Sequence, residues 1–239
     1  MKTTSAVSIA AAALLASALS ANAATIVIDR FDTEQYVEAV SRTGFASSSE
    51  IYAPNDAEVG GYRYMTVTNN TGRSNGTSLH AGEGYLDFSN ASRTSGTGTV
   101  VWDGMGSTGI GGLDLTDSGT NDALILDVIS ADASLILTFT VRDTFGAIAS
   151  LTQTAAETLD EPLSLAFLFS DFSGSVDFTS LDSISLTLSG TAAALDATID
   201  LFYAGSTQPV AAVPVPAAGL LLAGGIAALG VAKRRKRQA

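Results

Sequence analysis

The chain has no cysteine, and only one histidine and one tryptophan, in 239 residues. Without cysteine there are no disulfides, no thiolate nucleophile and no Cys-ligated zinc. With His80 as the only imidazole, a Ser-His-Asp arrangement has one possible centre. Gly72-Arg-Ser-Asn-Gly76 matches the G-x-S-x-G elbow, but that elbow needs a strand-to-helix turn and a later histidine. His80 stands six residues after Ser74 with no helical pattern between them, so a loop histidine is the expectation. Basic residues are scarce, and half of the twelve lie at the ends. Lysine occurs only at positions 2, 233 and 236. Between residues 24 and 209 there are six arginines against all 24 acids, a formal charge of −18. A field of that sign excludes nucleic acid and anionic membrane surfaces as partners and attracts cations.

What is present starts with two terminal segments. Lys2, an apolar core over Val7–Leu19 and Ala21-Asn22-Ala23 read as a secretory signal peptide cut before Ala24. At the other end stand Val213-Pro-Val-Pro-Ala217, an uncharged run to Ala232, and Lys233-Arg234-Arg235-Lys236-Arg237. Pro214 and Pro216 hold the first part extended. Counted back to Val210, the apolar run is just long enough for a membrane helix, and the basic cluster favours the cytoplasmic side. The expected division is therefore 1–23 signal peptide, 24–209 folded domain and 210–239 tail.

Residues Val213, Pro214, Val215, Pro216 and Ala217, followed by the apolar run and the basic cluster, resemble the sorting signals of the PEP-CTERM class. The match is to the VPLPA variant, with Val215 in place of the usual Leu. The resemblance implies an exosortase-type membrane protease as partner. It also implies export to the envelope or extracellular matrix of a Gram-negative bacterium. A plain C-terminal membrane anchor is the competing reading of the same tail.

The 186 residues between these segments suit one domain with its own core. Period-2 apolar alternation marks strands at Thr25–Ile28, Tyr62–Thr68, Tyr85–Phe88, Thr97–Trp102, Leu124–Val128 and Ser134–Val141. It recurs at Leu163, Leu165, Phe167 and Phe169, at Ser183–Ser189, and at Ala197, Ile199, Leu201 and Tyr203. The one candidate helical turn is near Asp32–Val40. Strands at this spacing predict an all-β two-sheet sandwich, a jelly roll. Gly60-Gly-Tyr-Arg63, Trp102-Asp-Gly and Gly111-Gly-Leu-Asp-Leu-Thr116, with the strand from Asp122 to Val128, resemble segments of galactose-binding-like sandwiches. That resemblance implies a carbohydrate-binding or structural module, often with bound calcium.

Function is less legible. Gly104-Met-Gly-Ser-Thr-Gly109 matches G-x-G-x-x-G, but turn and strand residues follow where a helix should open, so a flexible turn is expected. Calcium takes six to eight oxygen ligands. Asp29, Asp32 and Glu34 near the start of the domain, with Asp196 and Asp200 near its end, are the candidate set, chiefly Asp29, Asp32 and Asp200. A solvated acidic surface accounts for the same residues. Tyr62, Tyr64 and Trp102 are candidates for a sugar-stacking surface, with core packing as the plainer account. The overall expectation is a structural or adhesive exported protein that binds exopolysaccharide. The alternatives are a secreted carbohydrate-active hydrolase and an uncut membrane-anchored protein.

Overall fold

In the computed structural model, residues 25–40, 45–53, 59–71, 76–157, 161–190 and 192–208 are described. They belong to one unit spanning Ala23–Pro209. The signal-peptide and tail readings lie outside the described residues.

The strands in chain order are β1 (Ile26–Asp29), β2 (Gln35–Ala39), β3 (Phe45–Tyr52), β4 (Tyr62–Asn69), β5 (Thr77–Gly82), β6 (Tyr85–Asn90) and β7 (Gly96–Trp102). They continue as β8 (Ala123–Ala131), β9 (Leu135–Asp143), β10 (Ile148–Ala155), β11 (Leu163–Leu168), β12 (Ser173–Gly174), β13 (Leu181–Gly190) and β14 (Asp196–Gly205). The first sheet runs β11-β8-β14-β6-β5-β2, with β1 also paired to β14; the second runs β12-β10-β9-β13-β7-β4-β3. All pairings are antiparallel.

Eight of these strands make a jelly roll. The chain alternates between sheets from β6 to β9, forms the β9–β10 hairpin, and alternates again through β11, β13 and β14. The result is β6-β14-β8-β11 facing β7-β13-β9-β10, the order of two wrapped Greek keys. Strands β2 and β5 extend the first sheet, and β4 and β3 extend the second.

Strict alternation builds the interface between the sheets. In β9, Leu135, Leu137, Phe139 and Val141 are buried, while Ile136, Thr138, Thr140 and Arg142 face out. Phe139 packs edge-on to Phe167 at 4.7 Å and stacks on Phe202 at 4.9 Å, and Trp102 meets Phe202 at 5.2 Å. Phe139 and Trp102 come from the second sheet, Phe167 and Phe202 from the first, so these four rings lock the two sheets together.

Two sequence expectations need correction. Asp32–Val40 holds no helical turn; Gln35–Ala39 is a strand, with Val37 and Ala39 facing in and paired to β5. In β14, period-2 reading sends Leu201 and Tyr203 inward. The register against β8 instead slips between Ile199 and Phe202, and past that bulge Phe202 and Ala204 are the buried residues.

Candidate functional site

Trp102 is fully buried, so it is not a sugar platform. Its indole Nε1–H donates to Asp29 Oδ2 at 2.8 Å. Asp29 is fully buried too, and it pairs with Arg63, whose side chain is also inaccessible. Arg63 Nη1 donates to Asp29 Oδ1 at 2.9 Å and to Oδ2 at 3.1 Å, and its Nε donates to Gln35 Oε1 at 2.8 Å. Its Nη2 donates to the Thr33 carbonyl, and its guanidinium lies 5.7 Å from the Phe31 ring centre. The backbone N–H of Phe31 donates to Asp29 Oδ1. Burial pushes the Asp29 carboxyl above its ordinary value, against the pull of Arg63, Phe31 and Trp102. The network joins β1 and β2 of one sheet to β4 and β7 of the other.

The calcium reading changes accordingly. Asp29 Oδ1 and Oδ2 are taken by Arg63, Trp102 and Phe31, which leaves them in the wrong role for a metal ligand. Asp32 is exposed. Asp200 is half-buried and accepts from the Leu201 backbone N–H. Asp196 accepts from the Ser89 hydroxyl. Among the described residues, no three His, Cys, Asp or Glu side chains are grouped to hold a metal ion.

The other tempting motifs resolve locally. Gly104 and Gly109 have φ of 74° and 92° around a short 3-10 turn at Met105–Ser107, and no α-helix opens there. This is a turn, as expected. His80 is not in a loop; it sits mid-strand on the outer side of β5, with Glu34 and Asp87 at 3.5 and 3.7 Å. Ser74 lies outside the described residues.

The tyrosines behave differently from Trp102. Arg63, Met65 and Val67 of β4 point into the core, so alternation sends Tyr62, Tyr64, Thr66 and Thr68 outward. On neighbouring β3, Tyr52 stands opposite Tyr62 and Glu50 opposite Tyr64. The Tyr52 and Tyr62 rings are 5.0 Å apart. Tyr64 is 37% exposed, which rules out the core-packing account for it, and Tyr62 is half-buried; Tyr52, not named by the pattern, is 61% exposed. Beside them is a pocket of about 300 Å³ lined by Glu50, Tyr64, Asp103, Gly106 and Ser107. The backbone N–H of Gly106 donates to Glu50 Oε1 at 3.1 Å and ties the 3-10 turn to β3. Hydrogen bonds with Ser48 and Thr66 hold the Tyr64 phenol below its ordinary pKa.

The rest of this outer face is hydroxyl-bearing. The registers place Thr152, Thr138, Thr187, Thr99, Thr66 and Ser48 side by side in one row across six strands. Alternation made the outward positions of Thr138, Thr187, Thr99 and Thr66 legible; Thr152 and Ser48 lie on strands β10 and β3, which the pattern did not mark, and the alignment of all six depends on strand order. Sequence patterning named Tyr62 and Tyr64; it missed Tyr52 and Glu50, because β3 was not recognised as a strand, and Asp103, which sits in the turn after β7.

No family model and no curated protein matches the sequence. Solved structures do show similarity. One is an agarase, at 12% identity and a TM-score of 0.44, over 59% of this chain and 22% of that one. Another is an exo-β-agarase, at 13% identity and 0.44, over 78% and 25%. A third is a family 11 carbohydrate-binding module from Clostridium thermocellum, in complex with a β-1,3-1,4-mixed-linked tetrasaccharide. It matches at 10% identity and 0.39, over 77% and 98%. The matched segment is thus about a fifth of the agarase and a quarter of the exo-β-agarase.

Proposed function

We propose that the domain is a polysaccharide-binding module of an exported envelope or matrix protein, structural or adhesive in role. The observation that carries this reading is the trio of exposed Tyr52 and Tyr64 with half-buried Tyr62, on one face beside a pocket flanked by Glu50 and Asp103. A tyrosine ring buries the apolar C–H face of a sugar at little entropic cost. Carboxylates accept hydrogen bonds from sugar hydroxyls. The signal peptide and the Val213–Ala217 signal with its Lys233–Arg237 cluster support delivery across the membrane and sorting by an exosortase-type protease.

The test is retention of the purified protein in native gels cast with neutral polysaccharide. Tyr52→Ala and Tyr64→Ala should each release the protein while leaving its melting temperature within a few degrees, because both side chains are on the solvent side. Retention equal to that of the unaltered protein would overturn the reading. Glu50 and Asp103 also supply the two carboxylates a glycoside hydrolase needs. Release of reducing ends, lost in Glu50→Gln, would establish that second reading instead.

A further inference from the structure

We propose that the outer face of the second sheet is an extended track for a long, uncharged polysaccharide chain, running across the strands from Tyr64 along the Thr/Ser row. This rests on the glycan-binding reading above and names its ligand class. The row Thr152–Thr138–Thr187–Thr99–Thr66–Ser48 is set by five consecutive registers. At about 4.8 Å per strand it spans roughly 24 Å. Its members bond sideways: Thr138 to Thr152 at 2.9 Å, and Thr99 to Thr187 at 3.3 Å. At its β3 end the row is continuous with the tyrosine corner, because Tyr64 is the outward neighbour of Thr66 on β4 and Ser48 stands opposite Thr66. No described element packs on the middle of this face.

Charge decides what lies there. Threonine suits an exposed strand position by its β-branching alone. That preference does not explain why the row has no charged residue on a domain carrying 24 acids. Both outer faces carry charge, Glu38, Asp87, Asp127 and Asp196 on the first sheet and Glu50, Arg142 and Asp182 on the second, but none of the latter three falls in the row. An anionic chain is repelled by a domain of −18, and a cationic one finds no carboxylate along the row. Each hydroxyl both donates and accepts. It therefore matches a ligand whose own groups are hydroxyls, and threonine loses little rotamer freedom in making the contact. A protein partner would need apolar anchors along its contact, and the row itself offers only hydroxyls.

The experiment uses the purified protein with mixed-linkage β-glucan, agarose and alginate in affinity gels. Oligosaccharides of increasing length, cut from whichever neutral polymer is retained, are then titrated by calorimetry. The track requires retention by a neutral polymer, none by alginate at low or high salt, and affinity that keeps rising beyond the disaccharide. The paired variant Thr99→Val/Thr187→Val removes two hydroxyls and keeps the shape. It should weaken long-chain binding about tenfold and leave the disaccharide unaffected, while Thr99→Ser/Thr187→Ser retains the long-chain affinity. Tyr64→Ala should weaken both lengths. Affinity that is flat with length, or unchanged in the valine pair, would end the track and leave the tyrosine corner standing. Retention by alginate alone would overturn the neutral-ligand assignment. No retention by any polymer, with Tyr64→Ala without effect, would remove the glycan-binding reading itself.

Discussion

Replacing Asp29 with Asn should destabilise the domain by about 3–5 kcal/mol, because it leaves the Arg63 charge buried with no opposite charge. Both side chains have no solvent exposure. The partners that remain to Arg63 are Gln35 Oε1 and the Thr33 carbonyl, both neutral. The Asn amide would also present a donor where Arg63 or Trp102 now donates. For a domain of this size, each kcal/mol moves the melting temperature by about 2–4 °C. The expected drop is therefore roughly 6–20 °C by calorimetry or near-ultraviolet circular dichroism.

The double-mutant cycle makes the argument sharper. Arg63→Met and Asp29→Leu alone should each cost a similar amount, since each strands the other's charge. Asp29→Leu with Arg63→Met removes both charges, and replacing a buried pair by apolar groups is often near neutral. The double variant should be more stable than the sum of the single costs predicts, by about 2 kcal/mol or more. Additive costs would mean that the two charges do not depend on each other, and the network would lose its place as the tie between the sheets. The Asp29→Asn drop should be equal in millimolar calcium and in chelator. A loss seen only with calcium would restore the metal role.

Three further outcomes are expected. Phe139→Ala should cost about 3–5 kcal/mol, because its ring contacts Phe167 and Phe202 in the core, whereas Thr138→Ala on the outer side should cost well under that; urea unfolding of both would show whether the alternation is real. Hydrogen bonds to Asp143, from the backbone N–H groups of Asp177, Ala147 and Phe145, hold its carboxyl below the ordinary value, and Thr116 does the same for Asp114. A lowered folded pKa gives stability that is complete above the unfolded value near 4 and is lost as pH falls through the folded value, so the melting temperature should fall as pH drops below about 4; a flat profile there would contradict it. If the proposed sorting operates, intact mass of the mature protein should show a C-terminus near Val213–Ala217, and a species still ending at Ala239 would leave the plain anchor reading.

How much of this was legible depends on what fills the inward positions. Strands with large inward side chains, such as β9 and β13, declare themselves by period 2, and the jelly-roll class follows from their number. Strands β3, β5 and β10 do not. The sequence of β3 is Phe-Ala-Ser-Ser-Ser-Glu-Ile-Tyr, whose inward residues Ser47 and Ser49 give no apolar signal at the sheet edge. β10 buries Ala149 and Ala155 while exposing Ile148, so its hydrophobic pattern is nearly inverted. The same gap hid the site. Tyr62 and Tyr64 could be named from one strand, but their neighbours Tyr52 and Glu50 come from β3 and Asp103 from the turn after β7. Arg63 was equally opaque, since a lone arginine between two tyrosines reads as surface. Only the pairing of β1, β2, β4 and β7 across two sheets shows that it is the buried cation and Asp29 its counter-charge. In a regular strand with large inward residues, local alternation thus tells which way each side chain points. Which side chains end up next to one another is set by strand order, and both the tyrosine corner and the threonine row are properties of that order.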